Sequence, residues 1–387
     1  MTPGARVAAA ITVLDQIRDG AFAEQALTAW ARGSRFAGAK DRAAVRDHVF
    51  DVLRAKRSLG DGDGRALMLR LLQRDGVNLS NIFNGIGHAP DAVNDTEVTE
   101  LSQPLPLSDA AACDIPDWLW PHWQESLGVD ANAAAVAQQA RADVFLRVNQ
   151  RKASLSEAVE SLAQDGITTA PHPHVTNCLR VIDNPRRVKT AAAYMDGSVE
   201  LQDASSQRAV GLVPAGGRVL DYCAGGGGKA LAFANRPDTQ VFAHDIAPQR
   251  MKDLPDRAAR AGVAIKILTS KDLPANAPFD VVFCDAPCSG SGTWRRTPDA
   301  KWRLTDDRLR ALTAMQDDVI AQAAPLVSAG GILAYATCSV LCMENDAVIA
   351  RFCDQNPEWD IALRDQTLPG SDHDGFFLCH LRRKNNL

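Results

Sequence analysis

Three short segments concentrate the residue types that do covalent chemistry and hold polar ligands. In the first, Asp221-Tyr222-Cys223-Ala224-Gly225-Gly226-Gly227-Gly228-Lys229, an acid leads into four glycines and a lysine. Glycine permits positive φ and lets a backbone approach a ligand closely, and a helix starting there offers unpaired N–H groups. It is not a phosphate loop of the GxxxxGK[ST] type, because Ala230 follows Lys229. The second, Asp285-Ala286-Pro287-Cys288-Ser289-Gly290-Ser291-Gly292-Thr293, puts an acid and a thiol in a Gly/Ser loop. The third, Tyr335-Ala336-Thr337-Cys338-Ser339, carries another thiol. A thiolate is a strong nucleophile, but a free thiol with pKa about 8.5 is mostly protonated at neutral pH. A reactive cysteine therefore needs neighbours that favour its ionised form.

These segments must be positioned by strands. From about Gly197 the chain alternates strand, turn and helix, with strand candidates at 218–223, 240–244, 264–268, 280–285 and 331–337. Helices are expected over 304–327 and 344–356, and two later runs, 359–363 and 376–382, would extend the sheet. Alternation of this kind predicts a parallel sheet covered on both faces, and ligands of such sheets lie beyond the carboxyl ends of the strands. Asp245 falls at the end of the second strand, where a carboxylate can hold both hydroxyls of a ribose. Asp272 follows the third and is a candidate for an adenine edge. Taken singly, either acid is as well explained as a helix N-cap or solvated turn. Cys223 and Cys284 lie within strands and Cys178, Cys353 and Cys379 elsewhere, where a cysteine usually serves as a small apolar residue.

Upstream, apolar residues recur at three- to four-residue spacing through Val7, Ile11, Leu14 and Ile17, Leu27 and Trp30, and Val45, Val49, Val52 and Leu53, predicting amphipathic helices to about residue 75. Residues 76–115 read as an irregular acidic connection. Beyond it, strand signals at 144–149 and 179–182 and a helix over 155–165 suggest a small α/β domain at 116–196.

At this point the chain resembles a known family. Asp221 to Ala230, Asp285 to Trp302 and Tyr335 to Ile349 are similar to the first, fourth and sixth motifs (DxCAAPGGKT, DAPCSGxGxxRRxPDxKW and YxTCSxxxxENExVI) of the Sun/Fmu (RsmB-like) family of RNA 5-methylcytosine methyltransferases. Gln202 to Gln207 fits its QDxSSQ lead-in. The resemblance implies an α/β fold: a class I Rossmann-like methyltransferase core at 197–387, an RRM-like domain at 116–196, and an all-α NusB-like RNA-binding domain at 1–75. It implies Cys338 as the nucleophile at carbon 6 of cytosine and Cys288 as the group that helps release product. Asp285 would hold the base edge and Lys229 would support base or thiolate. S-adenosylmethionine would be held by Cys223, Ala224, Gly225, Gly226, Gly227, Gly228, Lys229, Asp245, Asp272 and Asp285. Gly225-Gly226 departs from the family's Ala-Pro, which loosens the loop. The implied partner is RNA, with ribosomal RNA favoured over tRNA, and the implied setting is a monomeric cytoplasmic enzyme without metal or membrane. A DNA cytosine methyltransferase would not require the Cys338 motif. A non-catalytic RNA-binding assembly factor would not require both thiols.

Composition frames these readings. The chain has 387 residues and a formal net charge of −5, which argues against a generic polyanion binder. Residues 91–130, however, hold nine acids and no Lys or Arg, so the remainder carries +4. Residues 1–60 contain ten Lys or Arg against six acids. Trp294, Arg295, Arg296, Lys301, Trp302, Arg303, Arg308 and Arg310 follow the second segment, and aromatics among bases suit RNA contact; an inward-packed helix start with Trp302 in the core is the competing reading. Nine irregularly spaced cysteines without a CxxC pair point to free thiols in a reducing compartment, with no zinc site. No apolar run is long enough to span a bilayer, and residues 1–19 read as an amphipathic helix, not a secretory signal.

Overall fold

The structure, a computed structural model, describes residues 1–384, so the last three residues of the expected core domain lie outside the described residues. The chain divides into two units. One comprises Met1–Gln124, Gly128–Arg141 and Trp294–Leu304; the other holds the remaining described residues.

The first unit is helical. Helices α1 (Pro3–Arg18), α2 (Ala23–Gly33), α3 (Ala39–Arg54) and α4 (Gly64–Arg74) bury Val7, Ala10, Val13 and Leu14 against Val45, Val49, Val52, Leu67 and Met68. Thr2 and Asp63 cap α1 and α4 by accepting from Ala5 N and Ala66 N, which satisfies amides that have no partner inside the helix. The acidic stretch is not a structureless connection: it includes helices Asp95–Ser102 and Asp109–Ala112. Asn94 and Glu97 form a reciprocal capping box on the first of these, a signal present in the sequence. Several of its acids fold onto the unit's own bases. Glu97 pairs with Arg65 and Asp117 with Arg57. Asp114, fully buried, accepts from Arg57 N, Ser58 N and Gln139 Nε2.

The basic, aromatic stretch Trp294–Leu304 belongs to this unit, and much of it faces inward. Trp294 is buried and stacks on Trp123 at 5.9 Å. Arg295 and Lys301 are each 2% exposed, Arg54 Nε donates to Arg295 O, and Trp302 Nε1 donates to Leu53 O. Those four residues therefore build a core and are not laid out for RNA, as the mixture of aromatics and bases had suggested. Arg308 and Arg310 do stay exposed.

The second unit holds two sheets. In the smaller, β1 (Val144–Val148), β2 (Thr169–Pro171), β3 (Cys178–Val181) and β4 (Val199–Leu201) pair antiparallel in the order β2-β3-β1-β4, with helix Leu155–Gln164 packed on it. The small domain thus runs past the boundary at 196, because β4 completes its sheet beside β1.

The larger sheet contains β5 (Gly217–Asp221), β6 (Thr239–Ala243), β7 (Ile265–Ile267), β8 (Phe279–Asp285), β9 (Val327–Thr337), β10 (Trp359–Thr367) and β11 (Phe376–Arg383), ordered β10-β11-β9-β8-β5-β6-β7. Strands β5 to β9 are parallel; β10 and β11 add an antiparallel edge. Successive residues face opposite layers. Val219, Val281 and Phe283 pack with Phe233 on one face, and Leu220, Val282 and Leu333 with Ile320 and Phe352 on the other. Burial on both faces explains the nearly continuous apolar runs of these strands. Neighbouring β6, β5, β8 and β9 end at the same edge, which brings the three chemical segments and Asp245 together. Among the described residues, no helix is long and apolar enough to cross a membrane.

Candidate active site

The two thiols singled out in the sequence meet. Cys338 follows β9, Cys288 lies in the loop after β8, and their sulfurs are 3.4 Å apart. The loops interlock through backbone. Gly292 N donates to Cys338 O, and Gly375 N donates to Gly292 O. A Cβ on Gly292 would stand 2.5 Å from the Gly375 carbonyl oxygen, so only glycine fits there.

Lys229, in the first turn of helix Gly228–Ala234, donates to Asp285 Oδ2 at 2.6 Å and lies 5.1 Å from the Phe376 ring centre. Burial alone would lower the ammonium pKa, but the Asp285 carboxylate overrides it and holds it above the ordinary lysine value. The thiols are split. The hydrogen bond from Cys288, helped by Lys229 and Thr293, holds Cys338 below the usual thiol value against burial and Asp285. Donating that bond, together with burial and the Glu344 carboxylate, pushes Cys288 well above it. One sulfur is thus readied as thiolate while its neighbour keeps its proton.

Glu344, which the sequence reading passed over, ties both cysteine loops. Fully buried, it accepts from Ser289 N, Ser289 Oγ, Ser339 Oγ and Gln316 Nε2. Asn345 beside it bonds Thr337 Oγ1 and Ser339 O. Glu344 and Asn345 lie within Tyr335 to Ile349, the stretch similar to the family's sixth motif, so a signal existed. Gln316 arrives from helix Asp306–Ala323, and no local pattern marked it.

The glycine segment turns tightly between β5 and its helix. Gly225 has φ +53° and Gly227 +79°. Gly225 N donates to Asp245 Oδ2, and Ala247 N donates to Asp245 Oδ1. Asp245 is buried, and its Oδ2 also takes Arg250 Nη1 at 3.1 Å, so Oδ1 is the oxygen that keeps a lone pair for a further donor. A Cβ at Gly228 would meet nothing within 4 Å. An open backbone cradle at a helix start beside a strand-end carboxylate fits a nucleoside carrying a ribose diol. Cys223 and Ala224 form the root of this loop, and Ala224 N donates to His244 O. His244, also not anticipated, links Tyr222 O and Ser270 Oγ through its two ring nitrogens, tying together the ends of β5, β6 and β7. Asp272 is not joined to this group: its carboxylate is exposed and bonded to Thr269 N and Oγ1 in its own turn. Asp221 is buried at the head of the loop, with neither carboxylate oxygen in a hydrogen bond of good geometry. Burial pushes its carboxyl up to about 7.

Two family models match this chain: the 16S rRNA methyltransferase RsmB/F domain over residues 212–382, and the ferredoxin-like domain of RsmF/B-like methyltransferases over 115–189. Ribosomal RNA small subunit methyltransferase B of Salmonella arizonae is 32% identical over 324 residues, covering 79% of this chain and 74% of that protein. The chain belongs to the RsmB/F methyltransferase family. A relative of the same name from Citrobacter koseri is 33% identical over 70% of this chain, and the match takes in 66% of its own length. The crystal structure of PH0851 superposes with TM-score 0.74 over 99% of both chains at 22% identity, a likeness of fold. In this RsmB/F-family chain the doubled glycine at 225–226 coexists with an intact thiol pair, lysine and acid.

Proposed function

We propose that the protein is an S-adenosylmethionine-dependent RNA (cytosine carbon-5) methyltransferase acting on ribosomal RNA in the cytoplasm. The observation that carries this reading is the close thiol pair, Cys338 and Cys288 with sulfurs 3.4 Å apart, set beside the Lys229–Asp285 ion pair at the mouth of the glycine loop. Carbon 5 of cytosine is a weak nucleophile. Addition of the Cys338 thiolate to carbon 6 turns the ring into an enamine and activates carbon 5, dividing one hard step into easier ones. Asp285 holds the base edge and stabilises the protonated ring nitrogen, and Lys229 stabilises the charge that develops on the base. S-adenosylmethionine, held by residues 223–229 and Asp245, supplies the methyl group. Cys288 then accepts the carbon-5 proton, the electron pair restores the ring double bond, and Cys338 leaves as thiolate. Before that step Cys288 gives its own proton to solvent water, which frees it to act as the base.

A base inside a helical stack cannot reach such a site, so a loop or single strand of RNA is the fitting substrate. The helical unit supports an RNA partner. Arg32, Arg35, Arg42 and Arg46, with only Glu24 as acid, line a cleft of about 690 Å³. Phe36 beside them is 76% exposed, and aromatic faces among cations suit single-stranded RNA. A tRNA substrate is the second reading within the same chemistry. Ribosomal RNA from a strain lacking this gene, mapped by bisulfite sequencing with and without the purified enzyme, tests the proposal. One cytosine should lose protection in the strain and regain it on treatment. Cys338→Ala should restore nothing, and Cys288→Ala should trap a covalent protein–RNA adduct. An active Cys338→Ala variant alongside a dead, adduct-free Cys288→Ala variant would overturn the assigned roles.

A further inference from the structure

Two consecutive glycines at the head of a cofactor loop carry more backbone freedom than any other pair, and that freedom must be lost when the loop closes on a ligand. Two of the loop carbonyls are held from outside by side chains that are themselves braced on the small antiparallel sheet. Arg257, on helix Leu254–Ala261, donates through Nη1 to Gly226 O. A Cβ on Gly226 would stand 3.3 Å from that same nitrogen, so the bare glycine makes room for the guanidinium. The other end of the fork, Nη2, lies 3.3 Å from Glu200 Oε1. Glu200 belongs to β4, its side chain is 10% exposed, and its second oxygen takes Arg260 Nη2 at 2.8 Å. A second thread runs in parallel. Arg147 in β1, opposite Glu200 in the strand register, donates to Gln202 Oε1, and Gln202 Nε2 reaches Gly228 O at 3.4 Å.

We propose that Arg257, braced by Glu200, is a positioning residue for the cofactor: the ferredoxin-like sheet, through this pair, holds the doubled-glycine loop in its binding shape. The inference rests on the reading of residues 223–229 as the S-adenosylmethionine loop. It assigns a part in cofactor binding to a domain whose expected partner is RNA. Guanidinium geometry is essential, because one planar fork serves a carbonyl on one side and a carboxylate on the other, which a single ammonium cannot do.

The test is calorimetric titration of the full-length protein with S-adenosylmethionine, together with hydrogen exchange of residues 224–228 without ligand. Losing one charge-assisted hydrogen bond to the loop is expected to weaken binding by about tenfold in Arg257→Ala. Amide exchange in the loop should accelerate while the KM for RNA stays as in wild type. Arg257→Lys, which keeps charge and stem, should fail to restore affinity, and Glu200→Gln should weaken binding to a smaller extent. Affinity within twofold of wild type in both Arg257 variants, or unchanged loop exchange, would overturn the proposal. Failure of the wild-type protein to bind S-adenosylmethionine would instead remove the reading beneath it.

Discussion

Cys288→Ala should slow the nucleophile as well as block product release. The largest influence holding Cys338 below the ordinary thiol value is the hydrogen bond from Cys288, 3.4 Å away. A hydrogen bond to a charged group contributes about 1.5–3 kcal/mol. A thiol is a weak donor and a water admitted by the truncation would recover part, so about 1–1.5 kcal/mol is the working figure, some five- to tenfold in thiolate population. Lys229 and the Thr293 hydroxyl remain, so the effect stays within that range. The assay is the rate of iodoacetamide alkylation at Cys338, followed by mass spectrometry of its peptide from pH 6 to 9. Cys288→Ala should react about five- to tenfold more slowly at neutral pH and converge with wild type in alkali. Cys288→Ser, which keeps a donor, should stay close to wild type. The same change should make the trapped RNA adduct form more slowly at pH 7 than at pH 8.5. Alkylation of Cys288→Ala at the wild-type rate or faster at neutral pH would refute the assignment of donor and acceptor.

Three further outcomes follow from buried charge. Burial holds the Lys301 pKa down at about 8 in the folded state, below its unfolded value of about 10.4. The unfolded chain therefore binds more protons between those values, and stability should rise through that window. Lys301→Met should abolish this rise and gain up to about 3 kcal/mol at pH 7 in urea unfolding; a loss at pH 7 would contradict it. Asp221 has the opposite sign: with a folded value of about 7 against roughly 3.9 unfolded, its contribution declines as pH rises from about 4 to 7. Asp221→Asn should unfold at higher urea than wild type at pH 8 and show little difference at pH 4. Glu344→Ala strands three donors from two loops and one from helix Asp306–Ala323, so it should cost about 3–5 kcal/mol and lower the melting midpoint by roughly 10 °C. A shift below about 2 °C would show that Glu344 does not tie the loops together.

The sheet was legible in the sequence because parallel strands buried on both faces are apolar over most of their length, and a glycine turn or an acid marks their ends. The four-strand meeting of thiols, lysine and Asp245 followed from that topology. What escaped notice depended on contacts distant in sequence. Strand β2 is three residues long, too short for periodicity to register. The basic, aromatic stretch 294–304 carries the composition of an exposed surface, yet its stems and rings bury against Trp123 and Leu53. Asp272 stands where a ligand-binding acid is expected, but its Oδ2 is bound within the turn after β7, a local role the sequence pattern did not distinguish from ligand binding. The acidic stretch looked like solvated linker because its cationic partners, Arg57 and Arg65, lie more than 30 residues upstream.

Residues 294–304 also bear on how this chain can be taken apart. The polypeptide leaves the reaction loop at Thr293, contributes eleven residues to the helical unit, and re-enters the other unit at Thr305. No single cut therefore separates the two. A fragment beginning near residue 142 would carry Trp294 without its stacking partner and Trp302 without its backbone acceptor.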